Sequence, residues 1–344
     1  MAGQDEPRRN GLADLRRAFA RHNPVGPEAR AEFVTRAEGA RVETADGRSL
    51  LDFSCGGMLP LGHDSPEVRA WLAGAGLSLP PEPGLERPER ALLRRKLAEV
   101  VPGGMNRRVR LCDSGREALA AAIGLACRRT GRGRVAYLAE LDEAGLDRLA
   151  DAAALVVHPL DVRLAAAAER CRAQGVMLVS DETRLAPGAS GELTGLQGSE
   201  VRADLTLFGS GLACGLPLGA VVTGSSEWRW PERDAGGSPA ACRVALEYLA
   251  RLESGLLAEA VSLARTLQAE LAGGAELRGR GLVLAVGLAG PRAARLAAGC
   301  RERGLLVAPA GDTAVRVEPP LVVTEAEVKQ AAAAFREALA EAAR

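Results

Sequence analysis

Lysine is almost missing from this chain. Of 344 residues only Lys96 and Lys329 are lysines, and the remaining positive charge is arginine. Arginine replaces lysine freely on a surface, but it stays protonated and forms no imine. Chemistry that needs a lysine amine therefore has two places to come from. Histidine is scarce as well: His22, His63 and His158 are the only three, and their spacing argues against a metal cluster, zinc in particular. The seven cysteines include no C-x-x-C pair and read as buried thiols of a reducing compartment. No apolar run reaches the ~18 residues a membrane span needs, and the first residues lack a signal-peptide core. The expectation is a cytoplasmic protein with no membrane partner. Acidic and basic residues balance at 44 each, which leaves no net charge to attract nucleic acid.

What is present is ordinary globular material, 47% apolar and 26% charged, long enough for a large domain and a smaller one. Residues 1–75 read as an N-terminal arm and part of a small domain, with an amphipathic piece at Leu12–Phe19 and a hairpin turn at Asp46-Gly47. Residues 76–235 read as a large domain in which helical and extended patterns alternate. Residues 236–344 begin with a long interdomain helix and complete the small domain. Apolar runs of strand length lie at Arg134–Leu138, Ala154–Val157, Val176–Ser180, Leu205–Phe208 and Leu218–Thr223. Strands this uniformly apolar are buried on both faces, so the fold class is α/β: a mostly parallel sheet flanked by helices, plus a smaller α+β domain built from both chain ends. The helix predicted at Arg116–Arg129 puts Leu119, Ile123, Ala126 and Cys127 on one face. A terminal helix, Thr324–Ala343, opens on a capping box of Thr324 and Glu327 and buries Val328, Ala332, Phe335 and Leu339.

Three segments carry candidate chemistry. Ser114-Gly115-Arg116 stands between an extended run and a helix, where free backbone amides and the helix dipole favour an anion. A plain N-cap explains the same residues. Asp181 follows the run Val176–Ser180, at the strand end where open α/β sheets bind ligands, or it is an acidic turn. Gly209-Ser210-Gly211 through Gly215 is glycine-rich but lacks the G-x-G-x-x-G spacing, and a strand follows it rather than a helix. Ser210 has neither a G-x-S-x-G elbow nor a neighbouring histidine, so a hydrolytic nucleophile is a poor reading.

Taken in order, these segments resemble the class III pyridoxal-phosphate-dependent aminotransferases. Ser114-Gly115-Arg116-Glu117-Ala118 is similar to that family's phosphate-cupping Ser-Gly-Thr-Glu-Ala. Asp181-Glu182 through Gly191 is similar to its Asp-Glu-Val-Gln-Thr-Gly pattern, and Asp204–Ala220 to its lysine loop. Arg36–Gly39, Asp46–Phe53, Leu61–Pro66, Gly236–Cys242, Gly279–Leu282 and Val315–Leu321 extend the resemblance almost end to end. It implies a fold-type-I pyridoxal-phosphate transferase and a homodimer. It further implies that Ser114, Gly115 and Arg116 face the cofactor phosphate and that Asp181 keeps the pyridine nitrogen protonated. Arg316 falls on the arginine that grips a substrate carboxylate, a bidentate task, although a strand-end surface arginine looks the same in sequence. Asp234 falls on the threonine that contacts phosphate across the dimer.

The departures from the family converge on one pocket. Ser210 stands at the Schiff-base lysine, removing both the covalent anchor and the proton shuttle. Asp234 would repel a phosphate dianion. Asp113, Arg116, Thr183 and Arg184 replace family residues, His158-Pro159 replaces a glutamate-proline turn, and the family's ring-stacking aromatic-His-Gly loop is absent between Thr130 and Asp181. The implied reading is a degenerate member, inactive as a transaminase, that serves as a partner, regulator or ligand-binding pseudoenzyme. It would form a homodimer, or a heterodimer with an active relative, and accept a small amino or keto acid. Any pyridoxal or pyridoxamine phosphate would be held without a covalent bond. Two alternatives stay open: an enzyme using non-covalent pyridoxamine phosphate, and an active aminotransferase in which Lys96 or Lys329 reaches the site.

Overall fold

A computed structural model describes residues 11–22, 24, 32–76, 85–231, 236–272 and 276–342. The N-terminal part holds α1 (Leu12–His22), β1 (Val34–Glu38), β2 (Arg41–Thr44), β3 (Ser49–Asp52) and α2 (Pro66–Ala73). The turn between β2 and β3 contains Gly47 at φ +83°, and the two strands pair antiparallel as the Asp-Gly signal predicts.

The middle of the chain runs α3 (Pro88–Val100), β4 (Val109–Cys112), α4 (Gly115–Thr130), β5 (Arg134–Tyr137), α5 (Glu143–Leu146), β6 (Ala152–Val157), α6 (Leu164–Gln174), β7 (Met177–Glu182), β8 (Leu205–Phe208) and β9 (Gly219–Thr223). Its six strands form one sheet in the order β4-β9-β8-β7-β6-β5. β5 to β8 are parallel, and β9 runs against both of its neighbours. The mostly parallel sheet is thus present, and the reason is visible in β6. Every residue of that strand is buried, with Leu155 and Val157 in one apolar core and Ala154 and Val156 in another on the opposite face.

Helix α4 forms where the sequence places it but turned about its axis. Ala118, Ala122, Leu125 and Ala126 are buried, while Leu119 and Cys127 are only partly covered. The expected face of Leu119, Ile123, Ala126 and Cys127 is therefore corrected. Large apolar side chains are a poor guide in so alanine-rich a helix, because small residues let it press closely onto β4, β6, β8 and β9.

The last third holds α7 (Pro239–Arg251), α8 (Leu257–Leu271), β10 (Glu276–Arg280), β11 (Val283–Gly287), α9 (Ala293–Glu302), β12 (Leu305–Leu306), β13 (Ala308–Pro309), β14 (Ala314–Val317) and α10 (Glu325–Ala342). The single long helix expected after residue 236 is two, joined by a π-helical turn at Leu252–Leu256 in which Gly255 has φ 137°. Two four-stranded sheets result, β1-β2-β3-β12 and β10-β11-β14-β13. β12 pairs in parallel with β3, so the two ends of the chain share a sheet. One core spans them, from Leu51 and Phe53 through Tyr248 to Phe335. The terminal helix has its capping box: Thr324 Oγ1 accepts from the Glu327 amide at 3.3 Å, and Glu327 accepts from the Thr324 amide at 3.0 Å.

Candidate functional site at the strand ends

The site is built where β4, β7 and β8 end. Ser114 caps α4 in extended conformation, accepting a bond from the Glu117 amide at 3.1 Å. Glu117 in turn accepts from the Asp113 amide at 2.8 Å, so the N-cap reading of Ser114 is realised. The amides of Gly115 and Arg116 fall in the first turn, where no intrahelical carbonyl serves them. Asp113 acts on the neighbouring loop: its Oδ1 accepts from the Gly237 amide at 2.8 Å. A Cβ at Gly236 would lie 2.6 Å from Cys112 Cα, so the Gly236-Gly237 pair is what allows this loop to lie against β4.

Two further loops close on Gly115. Its missing Cβ would sit 2.7 Å from Thr183 Cβ and 3.5 Å from Gly209 Cα. A Cβ at Gly209 would lie 2.1 Å from the Thr183 carbonyl oxygen. Ser114, Thr183 and Ser210, far apart in sequence, thus flank one junction of close backbone approaches. Asp181 projects from the end of β7, and one of its oxygens accepts both the Thr183 amide at 2.9 Å and the Thr183 hydroxyl at 2.6 Å. Ser210 opens a short 3₁₀ turn after β8 and is half-buried. A Cβ at Gly211 would meet the Gly57 carbonyl at 2.4 Å, which brings the segment after β3 to the same place.

The floor is charged. Arg316, on β14, lies 3.6 Å from the buried carboxylate of Glu318, whose pKa burial raises against the pull of Arg316 and Arg184. His158 follows β6 and feels both Asp181 and Arg316. Crowding by the surrounding protein lowers its pKa, although the residue keeps solvent access; Asp181 and Asp161 pull it upward and Arg316 pushes it down. The Leu160 amide donates to its Nδ1 at 3.3 Å, which places the proton of the neutral ring on Nε2. In sequence His158 is only a departure from a Glu-Pro turn; in the fold it shares the electrostatic field of Asp181 and Arg316.

Asp234 lies outside the described residues. Lys96 Nζ pairs with Glu253 at 2.5 Å and lines an open surface cavity with Leu92 and Arg243. Lys329 pairs with Glu325 at 2.6 Å on the exposed side of α10. Neither glutamate belongs to the loops around Asp181. Among the described residues the scattered histidines hide one cluster: His63 Nε2 lies 2.9 Å from Asp52 Oδ2, and Cys55 completes a group whose ligating atoms fall within 4.8 Å. Asp52 also accepts from the amide and hydroxyl of Ser54. Burial and the nearby carboxylates of Asp52 and Glu318 push the Cys55 thiol far up, away from a metal-binding thiolate.

The aminotransferase class-III family profile matches residues 25–138 and 152–339. The chain belongs to the class III aminotransferase family. The break in the match, 139–151, falls on the short connection between β5 and β6. The acetylornithine aminotransferase of Synechocystis is 33% identical over 188 residues, which is 50% of this chain and 44% of that protein. The acetylornithine aminotransferase of Gloeobacter violaceus is 28% identical over 369 residues, covering 87% of this chain and 90% of the relative. The crystal structure of acetylornithine aminotransferase from Elizabethkingia anophelis superposes with a TM-score of 0.79 at 21% identity, over 96% of this chain and 99% of that one. That likeness places the fold among the fold-type-I pyridoxal-phosphate transferases. Among the described residues no helix is long and apolar enough to cross a membrane.

The family's cofactor can be tested against the donors in place. A carboxylate at the end of β7 and first-turn amides at α4 suit a protonated ring nitrogen and a phosphate. Both lysine amines of the chain are in ion pairs with glutamates outside these loops. These donors fit a guest held by hydrogen bonds and charge.

Proposed function

We propose that this class III family member is a ligand-binding pseudoenzyme that does not transaminate through a lysine. The observation that carries the reading is the commitment of Lys96 to Glu253 and of Lys329 to Glu325. With Ser210 at the lysine position of the resemblance, the strand-end loops hold no group able to form an imine. Ser114, Gly115 and Arg116 would receive a phosphate or carboxylate, Asp181 a ring or ammonium nitrogen, and Arg316 the carboxylate of a small amino or keto acid. Pyridoxal or pyridoxamine phosphate would bind there without a covalent bond. We take the division into 1–75, 76–235 and 236–344 as the domain organisation, which the β3–β12 pairing supports. A homodimer, or a heterodimer with an active relative, is the assembly this reading favours.

The names of the relatives favour the second reading, an active transaminase. One experiment separates the two. Purified protein is mixed with pyridoxal phosphate, scanned for the visible band of a lysine-linked cofactor, reduced with borohydride and digested for mass spectrometry; pyridoxamine phosphate binding is measured by calorimetry. The proposal expects binding without a labelled peptide. Stoichiometric label on Lys96 or Lys329 together with amino transfer would establish the active enzyme instead.

A further inference from the structure

Three carboxylates are buried among the described residues, those of Asp52, Glu182 and Glu318. Asp52 accepts from the Ser54 amide at 2.9 Å and the Ser54 hydroxyl at 2.7 Å, and it meets His63 Nε2 at 2.9 Å. Glu182 accepts from the Gly195 amide at 2.7 Å. Glu318 differs. Its residue is only 8% exposed, yet among the described residues no donor reaches its carboxylate with a hydrogen bond. Its ion pair there is with Arg316, whose Nη1 stands 3.6 Å from Glu318 Oε1, too far for a hydrogen bond. A buried carboxylate costs free energy unless opposite charge and donors at bonding distance offset it, so this pair is incomplete.

The backbone fixes where that carboxylate sits. The Glu318 amide donates to the Phe53 carbonyl at 2.6 Å, and the Gly56 amide donates to the Glu318 carbonyl at 2.8 Å. Residue 318 is thereby tied to the segment after β3, and Pro319 and Pro320 restrict the chain that follows. A Cβ on Gly57 would stand 3.7 Å from Glu318 Oε2 and would strike the Arg184 carbonyl, while a Cβ on Gly211 would strike the Gly57 carbonyl. Gly57 thus links the carboxylate to the turn that Ser210 opens. The Arg316 side chain stays 30% exposed and that of Glu318 10%, which leaves both open to approach from solvent.

A guanidinium and a carboxylate held side by side, but not in contact, suit a ligand that presents the opposite charge to each. A free amino acid does so, with its carboxylate on Arg316 and its α-ammonium on Glu318, so that four charges alternate in sign. A keto acid answers only Arg316 and brings a negative charge beside Glu318, where partial burial screens the repulsion poorly. Arg184, whose charge also reaches Glu318, lies at an exposed position and is screened by solvent.

We propose that Glu318 is a specificity-determining residue of the strand-end site, selecting a zwitterionic α-amino acid over the corresponding keto acid. The inference rests on the reading of Arg316 as the grip for a ligand carboxylate.

The probes are L-norvaline, 2-oxopentanoate, which carries a carbonyl in place of the amine, and butylamine, which lacks the carboxylate. Each is titrated into the whole chain by ligand-observed NMR at about pH 8. Norvaline is expected to bind about tenfold or more tighter than either of the others. Glu318→Gln, close in shape, should weaken norvaline about tenfold and leave 2-oxopentanoate unchanged or tighter, which removes the preference. Arg316→Gln should weaken both acids. Thermal unfolding checks that the variants fold, and the wild-type comparison stands without them. The inference is overturned if 2-oxopentanoate or butylamine binds the wild type within about threefold of norvaline, if neither acid binds, or if Glu318→Gln weakens both acids equally. Pyridoxamine phosphate binding, measured alongside, separates the two levels. Retained in any of those outcomes, it leaves the ligand-binding reading standing; lost together with both acids, it removes that reading as well.

Discussion

Thr183 holds Asp181 by two bonds to one oxygen, from its amide at 2.9 Å and its hydroxyl at 2.6 Å. The aspartate at the centre of the site is therefore restrained by the residue that replaces a ring-contacting neighbour in the family. Removing the hydroxyl in Thr183→Ala should cost about 1 kcal/mol of stability and loosen Asp181. Thr183→Ser keeps the bond. Pyridoxamine phosphate binding should fall in the alanine variant and be retained in the serine variant, as measured by calorimetry. Equal affinities in the two would mean that the hydroxyl has no positioning role.

Two glycines of α4 should respond to alanine with opposite signs. At Gly115 the new methyl meets Thr183 Cβ at 2.7 Å, and the collision should destabilise by about 1–3 kcal/mol. At Gly124 the nearest obstacle is the flexible end of Arg128 at 3.5 Å, so the gain in helix propensity should stabilise by about 0.5–1 kcal/mol. Urea unfolding of both variants checks the contrast. Similar shifts in the same direction would contradict the close junction of the three loops.

Glu182 is buried beside the Gly195 amide, which donates to it at 2.7 Å. Burial pushes its carboxyl up to about 7, against the pull of that amide and of the Ser180 hydroxyl. The unfolded chain titrates near the ordinary glutamate value of about 4.3. Between those values the folded state binds the extra proton, so stability is greatest below about pH 4.3 in this group's contribution and declines as pH rises towards about 7. Glu182→Gln should flatten the loss of melting temperature between about pH 5 and pH 8, and above pH 7 it should be more stable than wild type by about 1–3 kcal/mol. A variant with the same pH slope as wild type would place the titration elsewhere.

The parts of the fold legible in sequence are those set by local rules. The runs that became β6, β8 and β9 are buried at every position because both faces are covered, and their largely apolar sequence, interrupted by Thr206 and Thr223, is readable without coordinates. The Thr324–Glu327 box and the Gly47 turn are equally local. The rotation of α4 was hidden because alanine does not mark a buried face. The Asp52–Cys55–His63 group was hidden because the path of the chain after β3, rather than any spacing rule, brings His63 back to Asp52. The motifs named Ser114, Asp181, Ser210 and Arg316 as candidates, and the fold sets the loops of the first three around one junction, while the electrostatic link of His158 to Asp181 and Arg316 required the fold.

Under the proposed reading, in which Ser210 stands at the family's lysine position, supplying an amine there tests how deep the change in the pocket runs. Ser210 is half-buried at the start of a 3₁₀ turn beside the strand-end loops. A lysine acting as proton shuttle is worth about a hundred- to ten-thousandfold in rate, and an isolated defect at 210 would be reversed by supplying it. The other departures persist in that variant. In the proposed alignment Asp234 takes the place of a phosphate-contacting threonine, and the family match still breaks at the connection from β5 to β6. Ser210→Lys alone is therefore expected to show no amino transfer above the wild-type background with common amino donors, even if borohydride labels the new amine. Turnover at or above about 1 s⁻¹, within the ordinary enzyme range, would show that position 210 was the only defect.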